Sequence, residues 1–140
     1  MDIVSSFQII SSGLTAQRAK MDVITSNLAN VETTRTPEGG PYKRKTIVLA
    51  ATPVTDAFGA VLNAAVKAVK IDRIAEDGTV KMMYDPSHPD ADDKGYVAKP
   101  NVNPIMEMAD MITAGRNYEA CVTAFDATKN MALKTLDMGK

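Results

Sequence analysis

The sequence predicts an α+β subunit in which long N- and C-terminal helices pair as a coiled-coil layer, with a small β-rich middle region. Apolar residues recur at alternating steps of four and three at both ends of the 140-residue chain. This spacing is typical of helices that pack along a seam. Between the ends, short β-prone runs alternate with turn-rich segments, which is typical of strands joined by turns.

The N-terminal helix is predicted by a seam that is almost entirely apolar. The seam consists of Ile3, Phe7, Ile10, Leu14, Gln17, Met21, Ile24, Leu28 and Val31. Only Gln17 is polar. An ordinary helix drifts by about 20° per heptad from a strict seven-residue repeat, so a seam of this length favours a supercoiled partnership over a lone surface helix.

The middle of the chain is predicted to form strands and turns. The run TTRTPEGGPYKRK at 33–45 follows the first helix, and core packing gives no reason for its threonines, its Pro-Glu-Gly-Gly-Pro turn or its basic cluster. Strands are predicted at 43–50, 66–74 and 79–84. Asp77-Gly78 predicts a hairpin between the last two strands, and residues 85–104 are predicted to be a surface loop or an extended strap.

The C-terminal helix is predicted to begin at Asn103-Pro104. Asn is a favoured N-cap, Pro suits the first helical position, and Glu107 lies in the first turn, where the helix dipole favours a carboxylate. One stripe along this helix contains Met108, Met111, Gly115, Tyr118, Val122, Phe125, Lys129, Ala132 and Leu136. A second contains Ala114, Cys121, Ala124, Thr128, Met131, Thr135 and Met138. Two stripes indicate contacts on two faces, which one partner helix would not cover.

Charge and composition argue against several classes of function. The formal net charge is −1, so the chain as a whole has no electrostatic attraction to nucleic acid or to anionic lipid. A single cysteine, Cys121, excludes an internal disulfide framework and a thiolate-rich zinc site. No signal-peptide core and no segment long enough to span a membrane is recognised. We expect no direct membrane insertion, and export would need a route without cleavage.

The candidate sites for chemistry are weak. His88 lies among Asp85, Asp90, Asp92 and Asp93, but one imidazole among carboxylates in a turn-rich loop favours a solvated turn over a metal site. Cys121 lies in mid-helix without an activating neighbour, which favours a packed thiol over a nucleophile. The basic residues 43–45 favour a solvated or protein-facing strand over a phosphate contact. We expect no catalytic residue, no metal, no cofactor and no enzymatic activity.

The run VITSNLANVETT at 23–34, preceded by Gly13, resembles the N-terminal motif of the bacterial flagellar axial proteins that build the rod and the hook. Three further segments, 33–45, 84–103 and 107–120, are similar to the proximal-rod members of that family. The resemblance covers both ends and the central strap, and leaves mainly 50–82 unmatched.

The resemblance implies a structural subunit of the proximal rod that self-assembles through its terminal helices. The product would be a tubular drive shaft that transmits torque and encloses the export channel. It implies as partners copies of the chain or close paralogues, other rod proteins, the base of the rod at the export apparatus and MS ring, and the flagellar type III export machinery. It also implies a location in the periplasmic part of the basal body, reached without a cleaved signal. A soluble coiled-coil adaptor that forms no filament is the alternative.

With the resemblance, the chain divides into an inner N-terminal helix at 1–31, an extended connector at 32–45, a small β-rich region with the strap at 46–102, and an inner C-terminal helix at 103–140. The connector would contact neighbouring subunits. The predicted subunit interface consists of Ile10, Leu14, Met21, Ile24, Asn27, Leu28, Asn30, Thr33, Thr34, Gly39, Gly40, Met108, Met111, Tyr118, Val122, Phe125 and Leu136.

Overall fold

The structure is a computed structural model that describes residues 3–53 and 67–139. It contains two long helices, α1 at Ile3–Ala29 and α2 at Pro104–Met138. The described residues between them form four strands: β1 at Arg44–Pro53, β2 at Lys67–Asp77, β3 at Val80–Tyr84 and β4 at Tyr96–Pro100. This confirms the predicted α+β class. The part of the predicted β-rich region at 54–66 lies outside the described residues, as do Met1, Asp2 and Lys140.

The two helices pack against each other in antiparallel directions. Near the start of α1, the Phe7 ring meets the Phe125 ring edge to face at a centroid distance of 5.0 Å. At its other end, the Asn27 amide donates a hydrogen bond to Glu107 in the first turn of α2. On α2, a series of buried and half-buried residues has strict heptad spacing, and we call it the inner seam: Glu107, Met111, Ala114, Tyr118, Cys121, Phe125, Thr128 and Ala132. Both predicted stripes therefore contribute to this inner seam.

The start of α2 is as the sequence predicts. Asn103 is the N-cap, and its side-chain oxygen accepts a hydrogen bond from the Ile105 N–H, 3.1 Å away. Pro104 occupies the first turn, where its missing N–H leaves no intrahelical bond unmade.

The strands form two separate two-stranded ribbons. β1 pairs with β2 in an antiparallel register that runs from Arg44 opposite Asp77 to Pro53 opposite Lys67. This ribbon packs along α1, and the Val69 N–H donates a hydrogen bond of 3.1 Å to the Ser12 hydroxyl. β3 pairs with β4. α1 therefore contacts both α2 and the β1–β2 ribbon.

The predicted hairpin at Asp77-Gly78 is wrong, because β2 and β3 belong to different ribbons. A local turn does form there: the Asp77 carboxylate accepts hydrogen bonds from the N–H and the hydroxyl of Thr79. The turn redirects the chain, but β2 finds its partner in β1, which is packed on α1. The partner of β3 is β4, which lies in the segment predicted as a loop or strap.

Among the described residues, the buried apolar core is small. It consists of Ala16, Ile24, Tyr42, Val97, Val102 and Ala114. Many large apolar side chains remain exposed, above all on α2. No helix in the described ranges combines the length and the apolar character needed to cross a membrane.

Candidate subunit interface

The Asn27 side chain is the best-connected polar group where the two helices meet the strands. It is completely buried, and its amide pairs with both backbone groups of Lys45. Nδ2 donates to the Lys45 carbonyl and Oδ1 accepts from the Lys45 N–H, each at 2.9 Å. The second amide proton goes to Glu107 Oε2 at 3.1 Å, and Oδ1 also accepts from the Tyr42 hydroxyl at 3.1 Å. Its full hydrogen-bonding capacity is used.

Glu107 is a buried carboxylate with a positive partner. Only 1% of its side chain is exposed, and its Oε1 lies 2.7 Å from both Nε and Nη2 of Arg44. A buried charge without a partner would be strongly unfavourable, so the guanidinium and the Asn27 amide together make this burial tolerable. The position in the first turn of α2 adds a favourable interaction with the helix dipole.

Tyr42 completes the network. Its single hydroxyl proton is used in the bond to Asn27, so the Ser26 hydroxyl, 3.0 Å away, must be the donor to Tyr42 Oη. We call Ser26, Asn27, Tyr42, Arg44 and Glu107 the Asn27 cluster. It joins the end of α1, the segment before β1, the start of β1 and the start of α2.

The segment after α1 is a closed loop over residues 33–42. Tyr42 N–H donates to the Thr33 carbonyl at 3.1 Å, Thr36 N–H to the Gly40 carbonyl at 2.9 Å, and Gly39 N–H to the Thr36 carbonyl at 3.0 Å. Gly39 and Gly40 have φ values of +91° and +78°, a region that side chains with a Cβ rarely occupy. Within the subunit, the run that the resemblance implies to be an extended connector folds back on itself between residues 33 and 42.

A second heptad series runs along α2 beside the inner seam. Its apolar members are Ile105, Met108, Ile112, Val122, Leu133 and Leu136, which we call the outer seam, and Gly115, Glu119, Asp126 and Lys129 occupy the other positions of the series. All six are exposed, from 38% for Val122 to 73% for Ile105. Apolar residues at coiled-coil spacing on an exposed face are typical of a surface that a partner helix covers.

Comparison with known proteins identifies the family. Residues 7–35 match the family described as flagella basal body rod protein, and residues 93–138 match the C-terminal family of flagellar basal body rod FlgEFG proteins. The flagellar basal-body rod protein FlgC of Bacillus subtilis (strain 168) is 43% identical over 100% of both chains. The chain belongs to the FlgC family. FlgC of Borreliella burgdorferi is 42% identical, covering 94% of this chain and 93% of its own, and FlgC of Salmonella typhimurium is 35% identical over 100% of both chains.

The predicted interface residues of this FlgC-family chain fall into groups that differ in exposure. On α1, Ile24 is buried, and Ile10, Leu14, Met21 and Leu28 are half-buried. On α2, the half-buried Met111, Tyr118 and Phe125 lie in the inner seam, whereas Met108, Val122 and Leu136 are exposed in the outer seam. Of the loop residues, Asn30, Thr33 and Thr34 are half-buried, and Gly39 and Gly40 are exposed.

Asn27 differs from the rest of that set, because its side chain is buried and saturated inside the subunit. Sequence reasoning also missed Tyr42 and Arg44 as its neighbours, and it interpreted Glu107 only as a residue suited to a helix start. The one available signal was the protein-facing interpretation of the basic cluster, which is correct for Arg44. The ion pair joins residues 63 positions apart, a separation that no local pattern predicts.

The acidic strap of the FlgC-family chain forms turns. The Asp85 carboxylate accepts from the hydroxyl and the N–H of Ser87, and these bonds lower the pKa of Asp85. The Asp92 carboxylate accepts from the N–H groups of Lys94 and Tyr96. His88 Nδ1 accepts from the Asp90 N–H at 3.1 Å. Within the described ranges, no three His, Cys, Asp or Glu residues are grouped so that they could hold a metal ion.

Proposed function

We propose that this FlgC-family chain is a structural subunit of the proximal rod of the bacterial flagellar basal body. It self-assembles through its terminal helices into a tubular shaft that transmits torque and encloses the export channel. The observation that carries the proposal is the outer seam, because α2 presents apolar residues at heptad spacing after its inner seam is already occupied by α1. A helix with two such seams can join its own partner and a neighbouring subunit at once.

The partners in this proposal are copies of the chain or close paralogues, other rod proteins, and the base of the rod at the export apparatus and MS ring. The chain reaches the periplasm through the flagellar type III export machinery without a cleaved signal. It performs no catalysis. A soluble coiled-coil adaptor would also use an outer seam, but one partner helix would satisfy it and no tube would form.

The test is complementation of a flagellated strain that lacks its own FlgC. We expect the chain to restore motility and to be present in isolated basal bodies, with subunit density in the proximal rod by electron microscopy. Mass spectrometry of the assembled chain should find its N-terminal residues intact. If the chain instead binds one helical protein in solution and is absent from basal bodies, the adaptor is the correct function.

The two glycines of the closed loop provide a prediction about shape. We expect the double substitution Gly39→Val and Gly40→Val to block rod incorporation, because both residues have positive φ and each strained β-branched residue costs roughly 1–3 kcal/mol. No atom lies within 4 Å of a Cβ at either position, so the effect would come from the backbone and not from a clash.

The matched control neutralises charge in the same segment with Lys43→Gln and Lys45→Gln. The ion pair between Lys45 and Glu76 is exposed and 3.9 Å long, and such pairs contribute about 0–1 kcal/mol. Motility and rod incorporation are compared at matched expression. If the Gln variant fails and the Val variant assembles, the loop is an electrostatic anchor and its shape is unimportant.

A further inference from the structure

The closed loop has few means of its own to stay folded. Gly39 and Gly40 at its tip are exposed. Three backbone hydrogen bonds close it, and the Thr36 hydroxyl donates to the Gly40 carbonyl at 3.2 Å. Its C-terminal end is held more firmly, because Tyr42 is buried and both backbone groups of Lys45 are bonded to Asn27. The stability of the loop thus depends on groups outside it.

One external bond goes to the strap, where the Thr34 hydroxyl donates to the Asp90 carboxylate at 2.7 Å, and the others come from both helices. Asn27 on α1 holds the Lys45 backbone, and Glu107 on α2 holds the Arg44 side chain. The two are also bonded to each other. If α2 moved away from α1 and β1, the Arg44 guanidinium and one amide proton of Asn27 would lose Glu107 as their acceptor. If α1 moved away from β1, the N–H and C=O of Lys45 would lose their hydrogen bonds to Asn27.

We propose that the Asn27 cluster makes the folded state of the closed loop conditional on the pairing of α1 with α2. The loop then presents its glycine tip only in a subunit whose terminal helices are already joined. Local segments open with their own free energies, and a shared polar network links such openings. The proposal concerns the isolated subunit, so it is independent of the proposed function. The coupling can be absent in a rod subunit, and it can be present in a chain that forms no rod.

A disulfide between the helices would hold α1 and α2 together, so the effect of helix pairing on the closed loop can be measured. A Cβ at Gly13 would lie 3.5 Å from the Sγ atom of Cys121. The corresponding distance within a disulfide is about 3.0 Å, so a shift of roughly half an ångström would allow the bond to form. Gly13→Cys should therefore allow oxidation to staple α1 to α2. The staple is 14 residues before Asn27, about 21 Å along the helix axis, so it cannot touch the closed loop.

The measurement is amide hydrogen exchange by NMR in the purified full-length chain. We expect oxidation of the Gly13→Cys chain to slow exchange at the N–H groups of Thr36, Gly39 and Tyr42 by tenfold or more. In the stapled chain, Glu107→Gln should remove most of that protection, because Gln cannot pair with the Arg44 guanidinium as a carboxylate does. Glu119→Gln is the matched control, since Glu119 is an exposed residue of the same helix.

Two further samples make the test decisive. The parent chain, which has only Cys121, is treated with the same oxidant and should show no change in loop exchange. Circular dichroism checks that the Glu107→Gln chain keeps its helices. Equal protection of the loop before and after stapling would overturn the proposal, and so would full protection in the stapled Glu107→Gln chain.

Discussion

Val122→Asp is expected to abolish incorporation of the chain into the rod while leaving the subunit folded. Val122 lies at the centre of the outer seam and is already 38% exposed, so the isolated subunit can hydrate a carboxylate there. In the proposed assembly a neighbouring helix covers the position. Desolvating an unpaired carboxylate costs several kcal/mol, and each 1.4 kcal/mol weakens an association tenfold.

The measurement is the amount of the variant in isolated basal bodies relative to the amount in whole cells. Ala120→Asp is the matched control, because Ala120 is exposed on the same helix but belongs to neither seam. It introduces the same charge and should assemble normally. Circular dichroism of both purified variants should show parent-like helix content. Normal incorporation of the Val122→Asp chain would show that the outer seam is not a subunit interface.

The helices could be predicted because their signals are local. Heptad spacing, an Asn-Pro start and a first-turn Glu all act within a few residues of where they lie, and α2 begins where they indicate. Strand pairing is different. Asp77-Gly78 makes a turn in the structure as in the sequence, but the partner of each strand is selected by packing, and β1 and β2 pair where both can lie on α1.

The sequence predicts contacts on two faces of α2, but it does not predict which residues face α1. Met108 and Met111 belong to one stripe in the sequence, yet Met111 packs in the inner seam and Met108 is 48% exposed. The sequence shows two adjacent heptad series with apolar residues, and it would look the same whichever of the two α1 covered. The choice depends on the orientation of α2 at its start, where Glu107 meets Arg44 and Asn27.

Replacing Asn27 is expected to destabilise the subunit more than any other single change in the cluster. Asn27→Leu would leave the half-buried N–H and C=O of Lys45 without partners and would remove a donor from the buried Glu107. Each buried polar group left unsatisfied costs about 1–3 kcal/mol. We expect a loss of roughly 3 kcal/mol or more in the free energy of unfolding, measured by urea denaturation followed by circular dichroism.

Asn27→Asp separates the polar contribution from the shape of the side chain, because Asp has nearly the same volume. It would remove both amide donors and place a second carboxylate beside Glu107, now 3.1 Å from Nδ2. Two carboxylates this close repel each other when both are ionised. The destabilisation should therefore be largest at neutral pH and should shrink in acid, when one of the two carboxyl groups takes up a proton and becomes a donor again.

The control for both variants is Asn130→Leu, the same chemical change at an exposed position of α2. It should alter the free energy of unfolding by no more than about 0.5 kcal/mol. If Asn27→Leu unfolds at the same urea concentration as Asn130→Leu, the hydrogen bonds of Asn27 contribute nothing net to stability. A loss of stability in Asn27→Asp that does not change with pH would instead indicate that the missing donors matter and that repulsion from Glu107 does not.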